Sequence, residues 1–297
     1  FYLKKALILR PNYDNARSNL AVAFCNLGHL EDAEAILQNG SFEAPRCHLV
    51  RQLYLRGDIA KYTRQLKILL NQDTTNAILG SVISRASIKH GSTFHNPFCS
   101  NPIDYVIEID LNKVCDFGEV FIKPAQRVFN DTATRYKSQK LLESGKQTEG
   151  NVFSLPENAW RRIEHYIRLE IEKYRRKFSG SKEGFITRWP SNFTLYGWLL
   201  NMRRGGSLKA HMHEKSWLSG SIYINVPRKI NSDDGNLVVC VEEDEMLSES
   251  QTNIKRIVDV STGTLCLFPA SLLHYTIPFA TYEERIVLAF DAIPADN

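Results

Sequence analysis

The chain has 297 residues, 43% hydrophobic and 10% aromatic, enough to bury the cores of about two domains. Lysine and arginine exceed aspartate and glutamate by only 37 to 33, too mild a bias for a nucleic-acid or membrane surface. No run approaches the ~18 uncharged apolar residues of a membrane span and no charged-then-apolar leader opens the chain, so the expectation is a cytoplasmic protein with neither nucleic acid nor membrane as partner.

In chain order, the first signal is a repeat. Pro11 and Pro45 lie 34 residues apart, and the stretch between them reads as helix, turn, helix. Leu20, Ala21, Phe24, Gly28 and Ala33 supply a large apolar residue, a small one, an aromatic, a turn glycine and a small packing residue at the spacing of one tetratricopeptide repeat. Counting back by the same period makes "FYLKKALILRP" the second helix of a preceding repeat, with Ala6 at a packing position. Phe1, Leu3 and Leu7 are too apolar for the polar cap that a solenoid end needs, which suggests a chain cut from a longer one. After Pro45 the pattern decays, but the helical stretches near 61–70 and 74–90 read as eroded repeats. An α-solenoid is therefore expected over residues 1–92, with a protein or peptide partner on its surface.

From "NPFCSNP" onward prolines, glycines and short alternating runs replace the helical period, which puts a boundary near 92–103 and a second domain over 93–297. One amphipathic helix over 157–178 is predicted, with Trp160, Ile163, Ile167, Ile171, Tyr174 and Phe178 on its apolar face and its many charges on the solvated one. "DYVIEIDL", "FTLYGWLLNM", "SGSIYINVP", "GNLVVCV", "IKRIVDV", "GTLCLF" and "ERIVLAFD" each read as strands bounded by turn residues. Gly205–Gly206 reads as a hairpin turn, and "NSDDGN" as another. The fold class expected is thus α+β and multidomain, a helical solenoid followed by a β-sandwich or jelly-roll barrel with helical support. The six cysteines contain no CxxC pair, which suits reduced thiols better than disulfides or a cysteine zinc site.

Chemistry concentrates in the second half. His211 and His213 are two apart, so on one strand both leave the same face and can grip one ion; the alternative is two polar residues on a wet strand. His274 follows the late strand "GTLCLF", and Arg285 comes 11 residues later at the head of "RIVLAF". In a jelly roll these points return to one mouth. Three ligands on one face of an iron leave room for a chelating oxo acid and for oxygen, and an arginine deeper in the barrel can pair with the far carboxylate of 2-oxoglutarate.

"QTEGNVF" (147–153), "YGWLLNMRRGGSLKAHMHEKSWLSGSIYINVP" (196–227) and "GTLCLFPASLLHYTIPFATYEERIVLAFDAIP" (263–294) resemble the signature blocks of 2-oxoglutarate and Fe(II)-dependent oxygenases found C-terminal to tetratricopeptide repeats, distant relatives of prolyl hydroxylases. The resemblance covers about residues 100–295. It implies a double-stranded β-helix, Fe(II) on His211, His213 and His274, 2-oxoglutarate on Arg285 with Tyr223 beside it, and ascorbate as an optional addition. Gln147 and Asn151 are placed near the mouth by motif resemblance alone. The wider superfamily carries HxD or HxE, and here His213 takes the place of the carboxylate. Glu214 is one step along, which on a strand points it to the opposite face. The expected activity is hydroxylation of a peptide, protein or small molecule. Two other readings stay open: an inactive repeat and jelly-roll scaffold that binds a protein, and a cupin-like three-histidine metalloenzyme that does not use 2-oxoglutarate. Trp198 and Trp217 suit core packing better than the floor of a substrate groove.

Overall fold

A computed structural model describes residues 1–38, 40, 42–242 and 254–295. The chain divides into two compact units, residues 1–100 and 101–297. Among the described residues no helix is long and apolar enough to cross a membrane.

Among the described residues the regular structure of the first unit is all helical. It contains α1 (Tyr2–Leu9), α2 (Asp14–Asn26), α3 (Leu30–Ile36), α4 (Glu43–Arg56), α5 (Ile59–Asn71) and α6 (Ala77–His90). Short turns join α2 to α3 and α4 to α5, so each pair folds back on itself. Gly28 and Gly57 sit at these turns with φ of +76° and +79°, a region that glycine enters without steric cost. Leu20, Ala21 and Ala33 are buried, as their repeat positions require, with Cys25, Leu30 and Leu37 beside them. Asp58 and Asn76 cap the N-termini of α5 and α6 with side-chain acceptors.

Among the described residues the second unit has ten strands: β1 (Ile107–Asp110), β2 (Tyr136–Lys137), β3 (Leu142–Thr148), β4 (Phe193–His211), β5 (Leu218–Asn225), β6 (Leu237–Cys240), β7 (Lys255–Val258), β8 (Thr264–Pro269), β9 (Leu273–Thr276) and β10 (Arg285–Pro294). Its helices are α7 (Lys123–Asn130), α8 (Asn158–Lys177) and α9 (Gly184–Thr187), so the predicted helix over 157–178 is α8. The strands run antiparallel in the order β1-β8-β5-β10-β4-β9-β6-β7, with β3 also on β4 and β2 on β3, a nearly closed jelly roll. Three of its features escaped the sequence reading: the π-helical turn Gly118–Ile122 that leads into α7, the short hairpin of β2 and β3, and β9 as a strand in its own right.

Two expectations need correction. "NSDDGN" is a turn, but it joins β5 to β6, which do not pair, and so is not a hairpin turn. Gly205–Gly206 is not a hairpin turn but an irregularity inside the 19-residue β4, where Gly205 has φ +74°. Before it β4 pairs with β10 as far as Met202, and after it Leu208 and His211 pair with β9. The bulge therefore carries one strand around a barrel corner, which a glycine pair permits as readily as a turn.

Packing of β5 on β10 depends on Gly220, where a Cβ would collide with the ring of Phe290. Phe290 is completely buried and has little freedom to yield. Gly220→Ala is expected to destabilise the β unit by about 1–3 kcal/mol through overpacking. Gly180→Ala, with nothing within 4 Å of the added atom, should be nearly neutral, and urea unfolding of the two variants makes the comparison.

Candidate metal centre

The register of β10 sets the interior of the barrel. On β4, Arg285, Val287, Ala289 and Asp291 pair with Met202, Leu200, Trp198 and Tyr196, and alternation puts these residues on one face. Arg285 Nη1 lies 3.7 Å from Met202 Sδ and Trp198 packs its ring 5.3 Å from that of His213, which identifies this face as the inward one. On β5, Ser219 and Tyr223 stand opposite Asp291 and Val287 and complete it.

His211, His213 and His274 converge at one end of this interior. One nitrogen from each ring lies within 4.8 Å of the other two, and among the described residues this is the cluster with metal-ligand composition. His211 is the last residue of β4, opposite His274 on β9, whereas His213 lies just beyond the strand end. The three therefore meet because β4 is carried to β9 past the bulge, and not because both residues of the HxH pair lie on one regular strand.

The hydrogen bonds indicate what the cluster suits. His211 Nδ1 lies 2.8 Å from the Lys209 carbonyl, which can only accept, so this nitrogen carries the hydrogen. His213 Nδ1 lies 2.6 Å from Asp291 Oδ1, again an acceptor. With both hydrogens committed, the two Nε2 atoms present lone pairs to each other across 3.2 Å. Such an approach repels unless a cation lies between. Two nitrogens each about 2.0–2.1 Å from one ion at a right angle sit roughly 3 Å apart, close to the spacing found. His274 Nδ1 is buried without a hydrogen bond of normal geometry, although the Leu272 carbonyl interacts with the ring. The residues present fit a divalent ion. Glu214 is not among them.

Electrostatics favour a metal over a proton. Burial first, and the neighbouring His213 second, pull the pKa of His211 down to about 4. Burial pushes His274 well below the ordinary histidine value, and the other two rings add to the effect. Both rings thus bind fewer protons folded than unfolded at mildly acidic pH. Stability from this source is fully present above about pH 6.5 and is lost as pH falls from there towards 4. The urea midpoint of metal-free protein should therefore drop between about pH 6.5 and 5, before most carboxylates titrate. A flat profile across that interval would contradict the burial of neutral imidazoles.

At the head of β10, Arg285 is 1% exposed. Its Nε donates to the Gly235 carbonyl at 3.0 Å, and its guanidinium carbon lies 5.0 Å from the centre of the Tyr223 ring. No carboxylate among the described residues forms an ion pair with it. Burial lowers its pKa and raises that of Tyr223, and each partly offsets the shift in the other. A guanidinium stays charged in proteins, so among the described residues the interior holds a positive fork with no carboxylate paired to it.

Other residues singled out in the sequence have settled roles. Asn151 is structural: its side chain donates to the Leu195 carbonyl and accepts from Phe153 and Gly197 amides at 3.0, 3.2 and 2.8 Å. Gln147 is buried opposite Leu200 on the inward face. Trp217 is a core residue whose indole donates to the Phe185 carbonyl at 2.9 Å, whereas Trp198 walls the histidine cluster. Asp291, which touches that cluster, went unnoticed in the sequence.

Two family models match parts of the chain. The family described as Putative 2OG-Fe(II) oxygenase matches residues 197–291, and the tetratricopeptide repeat family matches residues 1–56. Each match covers less than half of the chain, so residues 197–291 are similar to the domains of that family and residues 1–56 to tetratricopeptide repeats. No curated protein matches the chain. Among solved structures, a Pseudomonas putida prolyl-4-hydroxylase is similar with TM-score 0.45 and 11% identity, over 73% of this chain and 99% of that one. HygX from Streptomyces hygroscopicus, with nickel and 2-oxoglutarate bound, has TM-score 0.44 and 13% identity over 64% and 83%. A Trichoplax adhaerens prolyl hydroxylase in complex with a hypoxia inducible factor peptide fragment has TM-score 0.46 and 10% identity over 76% and 92%.

Proposed function

We propose that the second unit is an Fe(II)- and 2-oxoglutarate-dependent oxygenase that hydroxylates a peptide, protein or small molecule. His211, His213 and His274 would hold the iron, and Arg285 with Tyr223 would hold the far carboxylate of 2-oxoglutarate. The observation that carries the reading is the buried Arg285, with which no carboxylate among the described residues pairs, on the same inward face that ends at the histidine cluster. A buried charge without a partner costs several kcal/mol, and a dicarboxylate chelated at the cluster supplies that partner from its other end.

Iron with 2-oxoglutarate supplies the oxidising power to place one oxygen atom of O2 in a C–H bond, the co-substrate leaving as succinate and carbon dioxide. The chain's own work is positional. His211 is oriented by the Lys209 carbonyl and His213 by Asp291. Trp198 closes one side of the cluster and Phe268, with ring centres 5.0 Å apart, packs on His274. The six cysteines are free thiols, which supports a reducing, cytoplasmic setting for this chemistry. The repeat region would present a concave helical face to a protein or peptide partner.

The rival reading is a scaffold that keeps the barrel without turnover, favoured by the replacement of the ligating carboxylate by His213. Incubating the protein with Fe(II), 2-oxoglutarate, ascorbate and oxygen and measuring succinate separates the two. Succinate above the metal-free control supports the oxygenase. None, from protein that binds both iron and 2-oxoglutarate, would favour the scaffold.

A further inference from the structure

Where a two-histidine, one-carboxylate face would place its carboxylate, this chain has His213, and three neutral imidazoles leave a bound divalent ion one charge more positive. A carboxylate nevertheless stands directly behind. Asp291 Oδ1 accepts the Nδ1–H of His213 at 2.6 Å and the Ser219 hydroxyl hydrogen at 2.9 Å. Given the metal centre proposed above, we infer that Asp291 is its positioning residue: through His213 it fixes the tautomer that aims the Nε2 lone pair at the ion, and it returns to the site the negative charge of the missing ligand.

Three features of the fold carry this. Asp291 is 8% exposed within a strand whose neighbours Leu288, Ala289, Phe290 and Ala292 are all buried and apolar, a costly place for a carboxylate that served only the strand. Its direction is set by register, because Asp291 and Ser219 are direct partners on β10 and β5 and Ser219 supplies a second donor to the same oxygen. The His213 ring is also confined from the other side, with Trp198 edge-on at 5.3 Å, so the hydrogen bond selects both tautomer and orientation. A carboxylate that accepts from a ligating imidazole raises the basicity of that ligand, and removing such a partner typically weakens metal binding by about 10- to 100-fold.

Asp291→Asn preserves shape and removes the charge. Titration of wild type and variant with Mn(II) should show affinity reduced by about 10- to 100-fold. The visible absorption of the Co(II)-loaded variant should shift from that of wild type, because the electronic character of His213 has changed. In a His213→Asp background, where a carboxylate ligates directly, the same substitution should not weaken Mn(II) binding. Unchanged affinity and an unchanged Co(II) spectrum would overturn the role of Asp291 and leave the metal centre standing. Equal weakening in both backgrounds would reduce Asp291 to a strand-stabilising residue. Failure of wild type to bind Mn(II) or Co(II) would instead overturn the metal centre itself. Should Asp291→Asn not fold, Ser219→Ala, which removes one donor from Asp291, is expected to weaken Mn(II) binding in the same direction, and unchanged affinity there would overturn the inference.

Discussion

Arg285→Lys is expected to lower 2-oxoglutarate affinity by roughly 10- to 100-fold, the 1.5–3 kcal/mol of a hydrogen bond to a charged group, while Mn(II) binding stays unchanged. The substitution keeps the positive charge but exchanges a planar two-pronged fork for a single ammonium. Arg285 already spends Nε on the Gly235 carbonyl and rests on Tyr223, so its guanidinium is held in one orientation. A lysine can keep neither contact in that form, and the carboxylate would lose geometry as well as one donor. Anaerobic calorimetry with the Mn(II)-loaded proteins makes the comparison. Equal affinity in the two proteins would mean that the co-substrate does not reach Arg285.

His274→Ala is expected to weaken divalent-metal binding by more than the roughly 100-fold that loss of an outer-shell partner costs. Only two imidazoles would remain, and the deepest would be gone, since His274 is 5% exposed and packs against Phe268. Its buried Nδ1 makes no well-formed hydrogen bond, so removing the ring costs packing but breaks no strong hydrogen bond at that atom. Mn(II) titration should therefore collapse in a variant whose circular dichroism is unchanged. Metal affinity equal to wild type would remove His274 from the centre.

Much of this was legible in the sequence because periodicity survives in it. The 34-residue spacing of Pro11 and Pro45 and the small residues between them specify paired helices, and the structure places Gly28 and Gly57 at the turns. HxH, a later histidine and an arginine opening an apolar strand were visible as spacing, and the fold brings the three histidines together. What was hidden depends on three-dimensional closure. Gly205–Gly206 has the composition of a turn, and only the pairing of β4 with both β10 and β9 makes it a bulge. Asp291 lies six residues beyond Arg285, so strict alternation already put both on the inward face, and that signal was available. Its meaning was not, because nothing local links it to His213, 78 residues earlier.

The central claim is that three histidines hold one ion and that the co-substrate spans from it to Arg285. Crystals grown anaerobically with Mn(II) and 2-oxoglutarate test it most directly through the anomalous signal of the metal. One peak is predicted within about 2.0–2.3 Å of a ring nitrogen from each of His211, His213 and His274, with the far carboxylate of 2-oxoglutarate on the Arg285 fork. A peak that leaves any of the three histidines unliganded, or a co-substrate whose far carboxylate lies away from Arg285, would contradict it.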